Sequence, residues 1–217
     1  VNYPNMPTGA NATTSLFEKL VAFGKKHGII ICHDNPYSFI LNDSPKSILS
    51  VPGARDICIE LNSLSKSHNM SGWRMGMMAS NPQFVKWVHK SKSNMAGGQF
   101  KPMQLAAVAA LSNSVSWHAE MNRTYAERRI WAEKIMELLH AGYDKSQVGL
   151  FVWGKLPDDV STSETLVDEL LYGARVFITP GSIFGSNGER FIRISLGSSV
   201  EKLQEAYNRI KSYINKD

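Results

Sequence analysis

The chain has 217 residues, 43% of them hydrophobic and 20% charged, which is the profile of a globular protein and excludes a disordered or low-complexity chain. No apolar run approaches the roughly 20 residues needed to span a bilayer, so no membrane role is expected. The net charge of +5 permits an anionic partner, but the Lys and Arg residues are dispersed and form no basic stripe with interleaved aromatics, so nucleic-acid binding is not expected either.

The chain opens Val1-Asn2-Tyr3-Pro4, without an initiator Met or a basic-then-apolar leader, and an upstream portion is expected. Cys32 and Cys58 each sit inside an apolar run and are expected to be buried, reduced thiols. Two thiols without clustered His partners neither staple a chain of this size nor complete a metal site, which points to a reducing cytoplasm and no metal.

Residues 2–11, with Pro4, Pro7 and Gly9, read as an ordered loop. The spacing then predicts a helix, with Ser15 and Glu18 as a capping box and an apolar face of Leu16, Leu20 and Phe23 beside Phe17 and Val21, ending near Gly28. Residues 29–32 form a short apolar run, as expected of a strand covered on both faces. Residues 56–61 repeat that pattern and run into Asn62-Ser63-Leu64-Ser65-Lys66, and residues 75–79 supply a third strand. This is an α/β rhythm. Ligands in such sheets sit beyond the carboxyl ends of the strands, and Asp34 and Lys66 fall just past two of those ends.

Residues 102–140 are mostly helix-forming: an Ala-rich stretch over 104–111, then a charged amphipathic one over 119–139 long enough to join two domains. Beyond Gly142 the pattern predicts a strand (149–154), a helix (161–171), a strand (175–179), a turn-rich loop, a strand (191–196) and a terminal helix (200–214). That is the texture of a smaller α+β domain. In the last strand Ile192, Ile194 and Leu196 share one face, and Phe191, Arg193 and Ser195 the other, so Arg193 points away from the aliphatic side.

The segment Ser63-Leu64-Ser65-Lys66-Ser67-His68-Asn69-Met70-Ser71-Gly72-Trp73-Arg74-Met75-Gly76 resembles the lysine signature of the class I/II aminotransferases that use pyridoxal 5'-phosphate (PLP). Three further segments resemble the same family in the expected order: Asn2-Tyr3-Pro4-Asn5-Met6-Pro7-Thr8-Gly9, His33-Asp34-Asn35-Pro36-Tyr37 and Phe191-Ile192-Arg193-Ile194-Ser195. The resemblance covers essentially the whole chain. It implies the carboxyl-terminal half of an enzyme of the aspartate-aminotransferase fold, lacking the amino-terminal part. Residues 1–117 would be a partial PLP-binding large domain with a mostly parallel sheet and helices on both faces, and residues 118–217 an interdomain helix and a small α+β domain.

The resemblance also implies roles. Lys66 forms an imine with PLP, is displaced by the substrate amine and then shuttles a proton; an amine must be unprotonated to attack an aldehyde. Asp34 keeps the PLP ring nitrogen protonated, as an electron sink requires. Tyr37 and Asn5 hydrogen-bond the ring oxygen, and Asn5 also lies toward substrate. Arg74 and Ser63 hold the phosphate, Arg74 through paired hydrogen bonds that a lysine cannot reproduce, with Ser65 a weaker candidate. Arg193 takes the substrate α-carboxylate, and the loop around Thr179-Pro180-Gly181 and Phe184-Gly185 is the family's mobile segment. Among the histidines, His33 and His68 adjoin the site, while His27, His89, His118 and His140 take solvated helical positions by default.

Amino transfer between an amino acid and a 2-oxo acid is therefore the expected activity, in a cytoplasmic homodimer, with the isolated 217-residue chain inactive. A carbon-sulfur lyase, a cyclopropane-forming synthase or the aminotransferase-like domain of a transcription regulator would keep the same lysine and arginines. Acidic, aromatic and diaminopimelate-like substrates all remain open.

Overall fold

The computed structural model describes residues 1–215. They divide into two compact units, one made of Val1–Pro4 with Asn11–His118, the other of Asn5–Ala10 with the chain from Ala119 onward.

In the first unit, helix α1 (Thr14–His27) is capped by Thr13, whose hydroxyl accepts from the Leu16 amide, and not by the Ser15–Glu18 box expected from spacing. The chain simply enters the helix two residues earlier. Gly28 closes it at φ 63°, and Lys25, Lys26 and His27 place positive charge at the carbonyl end. The helix buries Phe17, Val21 and Gly24. Phe23, expected on that face, is 51% exposed, because position 23 falls about 100° of helical rotation from Gly24. Gly24 is the point of closest approach: a β-carbon there would lie 2.6 Å from Ile57 Cδ1 and 2.9 Å from the Ile29 carbonyl.

The sheet beneath has three strands, β1 (Ile31–Asp34), β2 (Cys58–Ser63) and β3 (Gly76–Ala79), with β2 central, parallel to β1 and antiparallel to β3. A one-turn helix, α2 (Leu64–Ser67), follows β2 directly. Helices α3 (Pro82–Met95), α4 (Lys101–Leu111) and α5 (Val115–Leu138) follow; the sequence places His89 on a helix without fixing its bounds, and Asn81 caps that helix and Pro82 opens it.

The apolar run 29–32 does not behave as a strand covered twice. Ile29 and Ile30 precede β1 and are 44% and 50% exposed, and Cys32 is exposed as well. Alternate residues of a strand face opposite sides, and α1 covers only the side of Ile31 and His33. Cys58 is fully buried, packed with Phe17, Val21, Ile31, Ile48 and Ala54. Burial pushes its thiol up to about 11, with Lys25 pulling it down and Glu60 adding to the rise. At pH 8 almost no thiolate is present there, so Cys58 is expected to resist alkylation in the folded protein and to react only in denaturant. Peptide mapping after iodoacetamide treatment checks this.

The second unit is built on a fully antiparallel sheet of β4 (Gly142–Tyr143), β5 (Phe151–Lys155), β6 (Thr179–Pro180) and β7 (Phe191–Ser195), in the order β4-β5-β7-β6. Between β5 and β6 run α6 (Ser163–Glu169) and a π-helical turn (Leu170–Ala174), and α7 (Val200–Ile214) ends the described chain. Val152, Ile192, Leu196 and Ile210 are fully buried in this unit.

The loop Asn5–Ala10 packs here because Gly9 presses on the segment before β5. The Val148 amide donates to the Gly9 carbonyl at 2.8 Å, and a β-carbon on Gly9 would lie 2.9 Å from Gln147 Cβ, at a φ of +69° that side-chain-bearing residues rarely adopt. Arg129 holds that segment from α5, donating to the carbonyls of Gln147 and Lys145 while paired with Glu133 at 2.8 Å.

Candidate active site

The lysine loop is shaped by its serines. Ser63 ends β2 in extended conformation and caps α2, its hydroxyl accepting from the Ser65 amide at 3.0 Å and donating to the Met75 carbonyl at 3.2 Å. Lys66 is therefore carried three residues past the strand on a single helical turn, half-buried. Buried Ser67 donates to the Ser63 carbonyl at 3.0 Å and fixes the back of that turn.

The chain then doubles back. Asn69 and Arg74 both sit in the left-handed region, at φ 54° and 51°, a conformation that costs a residue with a side chain roughly 1 kcal/mol. Three bonds hold them there. Ser71 donates to the Ser65 carbonyl at 3.0 Å, Arg74 Nη1 to the Ser71 carbonyl at 3.1 Å, and the Leu64 amide to the Met75 carbonyl at 3.1 Å. Arg74 is thus tied to the turn that bears Lys66, with its guanidinium exposed. Gly76 lets β3 start at that point, since a β-carbon would lie 2.9 Å from the Asn62 carbonyl.

Asp34 is the last residue of β1, in register with Leu61 of the parallel neighbour, and the next amide, Asn35, donates to the Leu61 carbonyl at 2.8 Å. Asp34 thus ends one strand, and Lys66 follows the same end of its parallel neighbour by three residues. The Asp34 side chain is exposed, on the face opposite buried His33. Tyr37 is half-buried in the turn that follows, its carbonyl accepting from the Ile40 amide at 3.1 Å.

Asp34, Tyr37, Ser63, Ser65, Lys66 and Arg74 all lie in the first unit. Asn5 and Arg193 belong to the second. Arg193 lies on β7 facing away from Ile192 and Ile194, as its alternation predicts. Its guanidinium carbon stands 4.2 Å from the Phe151 ring centre and 4.6 Å from that of Phe184, and Nη1 donates to Met6 Sδ at 3.2 Å. Met6 adjoins Asn5, whose carboxamide oxygen accepts from the Thr8 hydroxyl at 2.6 Å and braces the Asn5–Ala10 turn.

Sequence reasoning missed several contributors. Phe151 and Phe184 wall Arg193, and Trp153, the cross-strand partner of Arg193, stacks on Phe191 at 5.0 Å. Strand register places Phe151 and Trp153, and the turn Gly181–Phe184 places Phe184; neither is visible in one sequence. His118, expected in solvent, is half-buried, edge-on to His68 at 5.0 Å, with Trp117 stacked on His68 at 5.7 Å. Burial and then the charge of His118 push the His68 imidazole down from its ordinary range.

Residues 1–210 match the family model for aminotransferase class I and II. The chain belongs to the class I and II aminotransferases. It is 40% identical over 213 residues to an LL-diaminopimelate aminotransferase of Maridesulfovibrio salexigens, covering 97% of this chain and 55% of that protein. It is 42% identical over 216 residues to one of Nitratidesulfovibrio vulgaris, with the same shares covered. Among solved structures, BacF from Bacillus subtilis superposes with a TM-score of 0.90 at 37% identity, over 98% of this chain and 55% of that one. An aromatic aminotransferase from Pyrococcus horikoshii gives 0.89 at 32%, over 99% and 58%. The chain spans about 55% of the length of the curated relatives it matches.

Class I and II aminotransferases carry PLP, and the donor set of the first unit fits it. An amine suits the aldehyde, a carboxylate the ring nitrogen, a phenol the ring oxygen, and a guanidinium with serine hydroxyls the phosphate. The Ser63 hydroxyl would have to turn its proton from the Met75 carbonyl to a phosphate oxygen while still accepting from the Ser65 amide.

Proposed function

We propose that this chain carries the lysine-bearing portion of a PLP-dependent aminotransferase, with Lys66 as the residue that binds the cofactor and moves the proton at the substrate α-carbon. The observation that supports it is the placement of Asp34 at, and Lys66 just past, the same ends of two adjacent parallel strands, with Arg74 tied back to the Lys66 turn. When bound, PLP supplies an electron sink that accepts the bonding pair of the α-C–H bond. The rest is positioning. Asp34 offers its carboxylate to the ring nitrogen, Tyr37 and Asn5 donate to the ring oxygen, and Arg74, Ser63 and the weaker candidate Ser65 neutralise the phosphate. Arg193 holds the α-carboxylate between its two aromatic walls, which orients the α-carbon for proton removal.

The donor is an amino acid and the acceptor a 2-oxo acid. On the names of the two relatives at 40% and 42% identity, LL-diaminopimelate is the first donor to test. The working protein is a cytoplasmic homodimer, and the 217-residue chain on its own turns over little substrate.

Borohydride reduction of the intact natural polypeptide with PLP is expected to leave one pyridoxyl-labelled peptide, at Lys66, and conversion of LL-diaminopimelate is expected to require an added 2-oxo acid. A label elsewhere overturns the assignment of Lys66. Turnover independent of the 2-oxo acid points to lyase chemistry.

A further inference from the structure

We propose that Glu60 is a positioning residue for Asp34 and Tyr37, acting through the two residues that flank Asp34. The inference rests on the reading of Asp34 as the partner of the cofactor ring. Glu60 lies in the middle of β2, in register with His33 of β1, on the face opposite the Asp34 carboxylate. One carboxylate there gathers four groups. Oε2 lies 3.2 Å from His33 Nδ1 and accepts from the Ser47 hydroxyl at 2.7 Å and the Ile48 amide at 2.9 Å, while Oε1 accepts from Asn35 Nδ2 at 3.3 Å.

His33 and Asn35 are the chain neighbours of Asp34, and both are almost wholly buried. Each is anchored a second time. His33 Nε2 lies 2.9 Å from the Tyr3 carbonyl, and Asn35 donates to the Lys46 carbonyl at 3.3 Å while its own carbonyl oxygen accepts from buried Ser38, next to Tyr37. With its two neighbours fixed, the Asp34 backbone has no independent freedom, and its carboxylate is aimed from behind the sheet.

The chemistry of the cluster agrees. Both ring nitrogens of His33 face oxygens, Glu60 Oε2 on one side and the Tyr3 carbonyl on the other, so the ring is anchored at both ends. Burial would raise the Glu60 carboxyl. The hydrogen bonds from His33 and Ser47, the charge of His33 and the bond from Asn35 outweigh it and hold the group below the usual carboxylate range. A charged carboxylate at this depth is costly unless several donors meet it. Packing alone would be served by an apolar residue, as at neighbouring Cys58. The hydrogen bonds of the cluster run to His33 and Asn35, and through Asn35 to Ser38, which places its effect on the segment from His33 to Ser38.

The test uses the intact natural polypeptide. Glu60→Gln keeps the shape and, through its single amide oxygen, the bonds from Ser47 and Ile48, but it removes the charge and turns an NH2 toward Asn35 Nδ2, where Oε1 had accepted. It is expected still to trap PLP at Lys66 and to keep the KM for the amino donor. Its kcat is expected to fall about ten-fold, the usual scale for a residue that orients a group touching the cofactor. The visible-absorbance pH titration of the bound cofactor is expected to move up by about half a pH unit or more, because a less firmly protonated ring withdraws less charge from the rest of the conjugated system. Should Glu60→Gln fail to fold, Glu60→Asp retracts the carboxylate at constant charge and is read the same way. A lowered melting temperature with kcat and the titration midpoint unchanged reduces Glu60 to a structural residue and overturns the proposal. Failure of the unsubstituted protein to trap PLP at Lys66 instead brings down the site reading, and this inference with it.

Discussion

Lys66→Ala and Lys66→Arg are both expected to lower kcat by on the order of a thousand-fold or more, with little change in melting temperature. Positioned proton transfer alone contributes about 10²–10⁴-fold, and this side chain is also asked to attach the cofactor. Lys66 sits half-buried on a single turn whose hydrogen bonds are made by Ser63, Ser65 and Ser67, so the loop does not need the amine for its shape. Arginine preserves the positive charge but cannot be deprotonated under working conditions, so it supplies neither nucleophile nor base. The pair of variants therefore separates charge from chemistry. If Lys66→Arg kept more than about one per cent of kcat, electrostatic binding would suffice and the role given to the amine would be wrong. Single-turnover kinetics on the intact polypeptide, with the cofactor bound beforehand, makes the measurement independent of cofactor affinity.

Local pattern made much of this legible. The αL stop at Gly28, the alternation that turns Arg193 away from Ile192 and Ile194, and the placement of Asp34 at a strand end and Lys66 just past one all follow from short-range rules. What escaped was set by partners distant in sequence. The run 29–32 looks like a doubly covered strand, yet its burial depends on which faces meet another element, and α1 meets one. Cys32 and Cys58 sit in similar apolar runs and end in opposite environments for that reason. The capping box failed differently: Thr13 and Ser15 are both competent caps, and only the entry angle of the chain chooses between them. Glu60 looked like an ordinary strand residue because its four donors come from residues 33, 35, 47 and 48, and none of those pairings leaves a periodic trace.

Arg193→Ala is expected to lower kcat/KM for the amino donor by about 30- to 4,000-fold, the equivalent of the 2–5 kcal/mol lost when one partner of a desolvated charge pair is truncated. Most of the loss is expected in KM, because a carboxylate that does not react is bound alike in the ground and transition states. Arg193→Lys is expected to recover at most a tenth of the difference. The guanidinium carbon lies 4.2 Å from the Phe151 ring centre and 4.6 Å from that of Phe184, and a lysine supplies neither the planar fork nor the delocalised charge that meets both rings. The fold tolerates the change, since Ile192 and Ile194 bury the opposite face of β7 and the ladder to β5 is made by backbone groups. Borohydride trapping at Lys66 should be undiminished in both variants, which separates a lost substrate contact from a collapsed cofactor site. An Arg193→Ala protein with unaltered KM for the amino acid, and a response only in melting temperature, would show that the two phenylalanines hold this arginine for packing, and the α-carboxylate would have to be sought by another cation.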